Sequence, residues 1–388
     1  MPYPTQFWVL VLVGTLILLG LLQWHFTNHI RALLLIIMSG IVSLLISGNI
    51  LRCAWLFLSL ILTVGTWRLT KNGAVRNRVG IFWILFLVAC LALVKLLTFG
   101  GSAITIQWIG ISYLIFRLIH VTLDARRGRL PESTTISETI NYALHPASLV
   151  AGPIDRIQQN IDEQKKIVVK SQYVANGTWR ILTGVFKKIV LANLCYEFIL
   201  VETNNIWPKN STLSIWVWLL AYTFYVYFDF AGYSDIAIGS GLLMGIRLPE
   251  NFNNPYWQPD ISHFWQNWHI TLSTWLRDYI YFPVSRSLLK RTRNRYSVLI
   301  AFISHILTML VCGLWHGLGS GFILWGLWHG AGLFVHSQLP KLQKRYGFST
   351  PPRLVNIVFT FSFVALGWVF FSTDAANALV IFRRLFGL

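Results

Sequence analysis

Apolar segments of helical length recur along most of the chain and are separated by short polar links. A helix needs about 20 such residues to cross a bilayer, and most of the segments approach that length. The segments lie at 7–24, 31–48, 51–66, 80–98, 104–122, 174–202, 212–230, 296–315, 321–336 and 354–371. This pattern predicts an all-α polytopic membrane protein with about 10–11 transmembrane helices. The segment at 7–24 has no basic residues before it, so we interpret it as a retained first helix rather than a signal peptide.

Two neighbouring segments interrupt this pattern. Residues 144–153 are too short to span a bilayer and are broken by Pro146, Gly152 and Pro153. Non-helical backbone at membrane depth persists only where protein or a water-filled cavity satisfies its polar groups. The segment therefore predicts a re-entrant or interfacial element. Residues 156–170 are polar and charged, which predicts a surface loop or an amphipathic helix.

The stretch 228–283 is unusually polar for this chain. It holds five of the fourteen acidic residues, namely Asp229, Asp235, Glu250, Asp260 and Asp278. Neither Asp229 nor Asp235 has a basic neighbour in sequence, so we expect them to pair with Arg277 or Arg247. Such a concentration of polar groups indicates a re-entrant functional element rather than another simple span.

Charge and composition support a membrane protein. Only 12% of the residues are charged and 55% are hydrophobic, whereas a soluble domain carries about 25% charged residues. Basic residues collect in the links at 67–79, 122–130, 286–295 and 341–353, which the positive-inside rule places in the cytoplasm. The net charge of +18 is therefore assigned to topology and to contacts with lipid headgroups rather than to nucleic-acid binding.

His316 is the first candidate for chemistry. It lies in a Gly-Leu-Trp-His-Gly sequence at 313–317, between long apolar runs. An ionisable residue at membrane depth is a functional hypothesis by default, and a neutral buried imidazole suits a general base. A histidine that only bonds neighbouring helices remains an equal alternative. The same sequence recurs at 326–330 with His329, and the pattern alone does not choose between the copies.

His269 is the second candidate, and it closes a Phe-Trp-Gln-Asn-Trp-His sequence at 264–269. In one continuous helix, residues 264, 265, 268 and 269 share a face, which would suit the lining of a narrow channel. The alternative is an interfacial helix in an aromatic belt. Asp260 or Ser262 is the expected N-cap.

Metal and disulfide chemistry find little support. The four cysteines are scattered within apolar runs, a spacing that predicts neither a disulfide framework nor a metal site. His25 and His29 have the spacing of a zinc pair, but Phe26 stands where the peptidase motif needs glutamate. We therefore predict no metal site.

Several ordered motifs together resemble the membrane-bound O-acyltransferase family. The resemblance is greatest to a bacterial branch with the alginate O-acetylation protein and the D-alanyl transfer protein of teichoic acid synthesis. The matching motifs lie at 110–113, 149–154, 228–235, 248–252, 264–273, 275–279, 313–317 and 368–371. They indicate one domain over 1–388, with variable N-terminal helices at 1–104 and a motif-bearing core at 105–388.

The resemblance implies a helical bundle around a central funnel, with His316 and His269 as catalytic residues. The residues expected to line the substrate tunnel or to support the motifs are Asp229, Asp235, Asn251, Trp265, Trp268 and Trp315. One departure stands out: Gln266 and Asn267 occupy the positions where related sequences usually carry arginine.

The expected reaction moves an acyl group, with acetyl as the first choice, from a cytoplasmic thioester to a hydroxyl of an exported cell-surface polysaccharide or its partner protein. The resemblance implies acetyl-CoA or an acyl carrier protein as co-substrate, with no bound cofactor. Expected partners are membrane lipids and either an extracytoplasmic acyltransferase or a cytoplasmic carrier protein, in a bacterial plasma membrane.

Three alternatives remain open. D-alanyl transfer to teichoic acid is favoured by the chain length, whereas Asp235 and Tyr256 favour the alginate-like branch. A transporter or flippase would suit the broken segments at 144–153 and 249–262 and the intramembrane histidines, although no paired inverted halves are visible. A scaffold without activity is the third.

Overall fold

A computed structural model describes Thr63 and residues 73–387 except for short segments. The omitted segments are 100–110, 132, 150, 167–170, 207–210, 348 and 350. The predicted spans at 7–24 and 31–48 lie outside the described residues, as do His25 and His29, and so does 51–66 apart from Thr63. The total number of transmembrane helices therefore stays a prediction.

Helices dominate the described residues, which contain no β-strand. They are α1 Gly73–Phe99, α2 Ile111–Arg126, α3 Ile136–Ala143, α4 Ile157–Lys165, α5 Ser171–Val185, α6 Ala192–Ile206, α7 Thr212–Leu243, α8 Ile261–Asn267, α9 Ile270–Leu276, α10 Phe282–Arg291, α11 Ser297–His316, α12 Ser320–Tyr346, α13 Arg353–Ser372 and α14 Ala375–Leu385. Two π-helical turns, Phe186–Leu191 and Arg277–Tyr281, join α5 to α6 and α9 to α10.

Four of the described helices are long and apolar enough to cross a bilayer. Their spans are Asn77–Leu96, Thr212–Leu243, Ser297–His316 and Arg353–Ser372, which confirms the spans predicted at 80–98, 212–230, 296–315 and 354–371. The all-α polytopic membrane fold is thereby confirmed. The predicted interruption at Lys187 and Lys188 coincides with the first π-helical turn.

The helix α7 is longer than predicted. It continues through residues 228–243, so the start of the polar stretch is helical and the chain breaks only after Leu243. The expectation that the whole of 228–283 is re-entrant is wrong for these sixteen residues. Close packing against α5 accompanies this continuation. A Cβ on Gly184 of α5 would lie 2.6 Å from the carbonyl oxygen of Gly232 on α7, so the two helices can approach this closely only because residue 184 is glycine.

The described chain forms two compact units. The first contains the residues up to Phe186 and Gly232–Pro249, and the second contains Lys187–Ala231 and Glu250–Leu388. Both candidate histidines, His269 and His316, lie in the second unit.

In the first unit, the buried Arg117 donates hydrogen bonds to the backbone of the broken segment at 144–153 and of the residue before it. Its guanidinium donates to the carbonyl oxygens of Ala143 at 3.1 Å, Ser148 at 2.8 Å and Pro153 at 3.4 Å. It also donates to the Ser148 hydroxyl at 2.7 Å. The described residues of this segment are non-helical, as predicted, and one cation donates to carbonyls within it and just before it. The re-entrant or interfacial position of the segment stays a prediction.

The polar segment that follows contains the amphipathic helix α4, which confirms one of the two predicted forms. Ile157, Asn160 and Ile161 form its buried face. Just before it, the carboxylate of Asp155 accepts from the Arg156 N–H at 2.7 Å and the Asn160 amide at 3.1 Å. Burial nevertheless outweighs these bonds and raises the pKa of Asp155 to about 6.

Candidate active site

His316 is the last residue of α11 and is partly exposed, whereas the rest of the site is more deeply buried. Its ring lies 4.7 Å from Trp315, 5.4 Å from Trp325 and 4.9 Å from Phe371, all between ring centroids. The imidazole therefore has an aromatic wall on several sides and an accessible edge. This is suitable for a base that must meet a substrate.

Glycines lock α11 against α12 and so fix His316. A Cβ on Gly313 would lie 2.3 Å from the carbonyl oxygen of Phe322, and one on Gly326 would lie 2.5 Å from that of Met309. Both copies of the Gly-Leu-Trp-His-Gly sequence thus supply the close contacts between these two helices. The repetition is explained by helix packing.

His329, in the second copy, is fully buried. Its ring lies 5.3 Å from Trp265, 4.9 Å from Trp325 and 5.8 Å from Phe363, and neither ring nitrogen has a hydrogen-bond partner among the described residues. It is enclosed by aromatic rings, whereas His316 has an accessible edge. This difference favours His316 as the residue that meets substrate.

His269 is 2% exposed and lies beside Trp315. The ring centroids of His269 and Trp315 are 6.1 Å apart, so the Trp315 indole contacts both histidines. Phe230 packs edge-on against His269 at 4.6 Å. The Nε2 atom of His269 has no hydrogen-bond partner among the described residues. This nitrogen therefore has an unused hydrogen-bonding position, although the residue is buried.

The prediction that Trp265 and His269 share one helical face is wrong. The helix α8 ends at Asn267, Trp268 is extended, and His269 has a left-handed backbone with φ of 41°. The predicted N-cap is confirmed, since Asp260 accepts from the His263 N–H at 2.8 Å.

Long-range contacts cause this break. The Ile270 N–H donates to the Asn251 carbonyl at 3.0 Å, and the Asn253 N–H donates to the Asn267 carbonyl at 3.0 Å. The side-chain oxygen of the buried Asn251 accepts from the Thr271 hydroxyl at 2.6 Å. These bonds take up the backbone groups that the interrupted helix releases. A left-handed non-glycine residue costs about 1–3 kcal/mol and needs such support.

Trp268 and Trp265 have different surroundings. Trp268 packs against Phe252 at 5.1 Å and Trp368 at 5.2 Å, and its own ring contacts no histidine among the described residues. Phe264 stacks on Trp268 and also on His329. Trp265 lies 5.7 Å from Trp325, which itself contacts His316. Of the expected tunnel residues, Trp315 therefore contacts both histidines and Trp265 is one ring removed from His316.

The acidic pair has a different environment from the one expected. Asp229 pairs with Lys188 in the second unit, and Asp235 pairs with Arg180 at 2.5 Å in the first. The expected partners are engaged elsewhere: Arg277 bonds Asp278 at 2.9 Å, and Arg247 bonds a tyrosine. The predicted pairings are wrong, because close packing of α7 brings basic residues of the preceding helical run next to the carboxylates.

A cavity of about 300 Å³ lies alongside α8, α9 and α11 in the second unit. Its lining includes Trp265, Gln266, Arg277, Tyr281, His305 and Thr308. The second π-helical turn forms part of this wall, and such turns are frequent at functional sites. Gln266 faces the cavity at a position where arginine was expected, while the Asn267 amide donates to the carbonyl of His263.

Sequence reasoning missed His305, although a signal was present. His305, Thr308, Cys312 and His316 follow one face of α11, since eleven residues make almost three whole turns. The Nδ1 atom of His305 lies 2.8 Å from the Ala301 carbonyl oxygen. This contact assigns the proton to Nδ1 and leaves Nε2 as an acceptor. A polar stripe thus runs from the cavity to His316.

These features define a helical membrane protein with two histidines that contact one tryptophan, and with a small cavity farther along α11 that neither histidine lines. Residues 123–373 match the model of the MBOAT, membrane-bound O-acyltransferase, family. The chain belongs to this family.

The relatives differ in what their names say they modify. The chain is 36% identical over 283 residues to "Probable alginate O-acetylase AlgI" of Pseudomonas fluorescens, covering 72% of this chain and 53% of the relative. It is 34% identical over 264 residues to a peptidoglycan O-acetyltransferase of Helicobacter pylori, covering 66% and 48%. It is 29% identical over 273 residues to a teichoic acid D-alanyltransferase of Bacillus subtilis, covering 69% of each chain. The chain spans about half the length of the first two relatives.

Proposed function

We propose that this protein is a membrane O-acyltransferase that moves an acetyl group from a cytoplasmic thioester to a hydroxyl of an exported cell-surface polysaccharide. The observation that carries the proposal is that both His316 and His269 contact the ring of Trp315. One imidazole has an accessible edge, and the other presents an unpartnered Nε2.

His316 acts as the general base. It removes the proton from the acceptor hydroxyl while the oxygen attacks the thioester carbonyl carbon. The tetrahedral intermediate collapses with cleavage of the C–S bond, and the thiolate receives the proton from the His316 imidazolium. His269 donates from Nε2 to the carbonyl oxygen as negative charge develops there. Trp315 packs against both imidazole rings and so fixes their positions relative to each other.

The thioester arm occupies the cavity that Gln266 and His305 line. Thr308 lies eight residues before His316, or about 12 Å along the helix. By the positive-inside rule α11 starts on the cytoplasmic side, after the basic link at 286–295. The cavity therefore lies on the cytoplasmic side of His316, which is the side of the thioester donor. The donor is acetyl-CoA or an acyl carrier protein, acting as co-substrate.

The acceptor side involves further partners. The hydroxyl belongs to an exported polysaccharide or to an extracytoplasmic acyltransferase that passes the acetyl group on, in a bacterial plasma membrane. Identity favours acetyl transfer, since the alginate and peptidoglycan relatives are 36% and 34% identical. The matched share of the relative's own length favours D-alanyl transfer, since 69% of the Bacillus subtilis relative is matched. Acetyl transfer is our first choice and D-alanyl transfer the alternative.

The test is mass spectrometry of the cell-surface polysaccharide in a deletion strain complemented with wild type, His316→Ala or His329→Ala. Removing a well-placed general base costs about 10²- to 10⁴-fold in rate, so His316→Ala should nearly abolish esterification. His329→Ala, in the second copy of the motif, should retain it. The reverse result would remove His316 from the mechanism.

The same spectra separate the alternatives. Ester-linked alanine in place of acetate would establish D-alanyl transfer. Loss of surface polysaccharide with unchanged esterification of the remainder would establish a transporter. Esterification that depends on the protein but not on either histidine would establish a scaffold.

A further inference from the structure

A crevice lies between α12 and α13, and the start of α8 contributes Asp260 and Ile261 to its lining. Its volume is about 1000 Å³. Its walls include Val335, Leu339 and Gln343 on α12 and Arg353, Asn356 and Phe359 on α13. We propose that this crevice binds one anionic phospholipid of the cytoplasmic leaflet.

The crevice has the length of one leaflet. It closes at Trp328, whose indole stacks on Phe363 at 4.8 Å and donates to the Phe363 carbonyl at 3.0 Å. From Arg353 at the rim to Phe363 at the closed end, the wall on α13 rises by about 15 Å. Half of the hydrocarbon core is about 15 Å thick. An acyl chain therefore reaches from the rim to the closed end, whereas a helix that crosses the bilayer needs about twice that length.

The walls are apolar and open. Phe359 is 68% exposed and Val335 is 53% exposed, and Leu339 lies one turn beyond Val335 on the same wall. These side chains face the space that an acyl chain would fill. Burial of apolar surface supplies little specificity by itself within a bilayer, so the headgroup end determines which lipid is held.

The rim of the crevice carries a cationic side chain and two side-chain amides. Arg353 is exposed at the start of α13, beside Gln343 and Asn356. Two further cations, Lys344 and Arg345, end the neighbouring helix α12. The Asn356 amide donates one N–H to the Pro351 carbonyl at 3.1 Å. A phosphate placed between these groups would pair with Arg353 and accept from the Gln343 amide and from the second N–H of Asn356. The positive-inside rule assigns this end to the cytoplasmic surface, where anionic headgroups attract basic residues.

The acidic side chain in the lining does not oppose this assignment. Asp260 accepts from the His263 N–H at 2.8 Å, and its oxygens lie 2.6 Å from His263 Nδ1 and 3.4 Å from His336 Nε2. Burial alone would raise the pKa of Asp260, but these bonds and the neighbouring imidazoles lower it overall. The carboxylate is thus engaged by its neighbours and lies deeper than the rim.

Native mass spectrometry of the purified full chain measures the binding directly. The protein is titrated with phosphatidylglycerol or with phosphatidylethanolamine of the same chains. We expect one phosphatidylglycerol to be retained preferentially, and Arg353→Gln to weaken it about fivefold, as about 1 kcal/mol per basic residue gives. Arg383→Gln, on α14 outside the crevice, is the matched control and should leave binding unchanged.

A second variant tests the apolar part. Val335→Trp fills the crevice and should abolish the retained lipid, whereas Val358→Trp, exposed on α13 but outside the lining, should not. Equal retention of both lipids with no effect of Arg353→Gln would overturn the headgroup assignment. Unchanged retention in Val335→Trp would overturn the site, and so would a photo-crosslink from position 335 that captures a protein helix instead of lipid.

Discussion

The contact between Asn251 and Thr271 offers the sharpest test of how His269 is held. In Asn251→Ala, the Thr271 hydroxyl loses its acceptor at 2.6 Å inside the protein. An unsatisfied buried donor costs about 1–3 kcal/mol. That cost is comparable to the strain of the left-handed residue beside it, about 1–3 kcal/mol. The substitution therefore removes enough support for His269 to relax into an ordinary conformation and leave Trp315.

The expected loss follows from these energies. If the missing 1–3 kcal/mol appears in the transition state, the rate of acyl transfer falls by about 5- to 150-fold. The assay is the rate of ester formation on the cell-surface polysaccharide, normalised to the amount of protein in the membrane. Thr271→Val, which removes only the hydroxyl donor, should give the smaller part of this loss.

Thr271→Ser is the matched control, since it keeps the hydroxyl that Asn251 accepts. It should remain within about twofold of wild type, well inside one 1.36 kcal/mol step of tenfold. An Asn251→Ala protein with the activity of Thr271→Ser would refute the reasoning, because the left-handed His269 would then need no support from this contact.

Three further predictions concern stability, each measured by thermal unfolding of the purified protein. Gly326→Ala forces a methyl group to 2.5 Å from the Met309 carbonyl oxygen and should cost about 1–3 kcal/mol; an unchanged melting temperature would contradict the close helix contact. Because the pKa of Asp155 is raised to about 6, its folded form binds a proton before the unfolded form does. Stability should therefore rise by up to about 3 kcal/mol as pH falls from 7 towards 4. Asp155→Asn should remove this component, and an identical pH profile in the variant would contradict it. Lys188→Ala and Asp229→Ala should show a coupling of about 1 kcal/mol or less, since the pair is partly exposed; a larger value would mean that the pair is more desolvated than its exposure indicates.

The spans were predictable because a bilayer demands one simple property. Apolar length alone located α11 and α13 within a few residues. The capping role of Asp260 was equally local, because an N-cap bonds the backbone within three residues. The break in the segment at 144–153 was readable from its prolines and glycine.

The conformation of His269 was not predictable from its neighbours. Local sequence favoured one helix through His269, and the helix is interrupted by contacts from Asn251, twenty residues before Thr271. The partners of Asp229 and Asp235 were missed for the same reason: they lie 41 and 55 residues away along the chain. Such pairings depend on how helices pack.

The second copy of the Gly-Leu-Trp-His-Gly sequence shows the limit of motif reasoning. Its letters match the first copy, so the pattern gave no ground for preferring His316 over His329. The distinction lies in position: His316 ends its helix, whereas His329 is embedded within α12 among aromatic rings.

The glycine contacts between α11 and α12 also bear on how the molecule moves. The backbones of α11 and α12 touch at Gly313 and Gly326, so the two helices cannot slide or rotate past each other without collision. We therefore expect the pair to move as one rigid unit that carries His316. Any gating motion must then come from the other side of the site, where two backbone hydrogen bonds and the contact between Asn251 and Thr271 hold the chain around His269. We therefore expect His316 to keep its position, and the segment that carries His269 to be the part that moves.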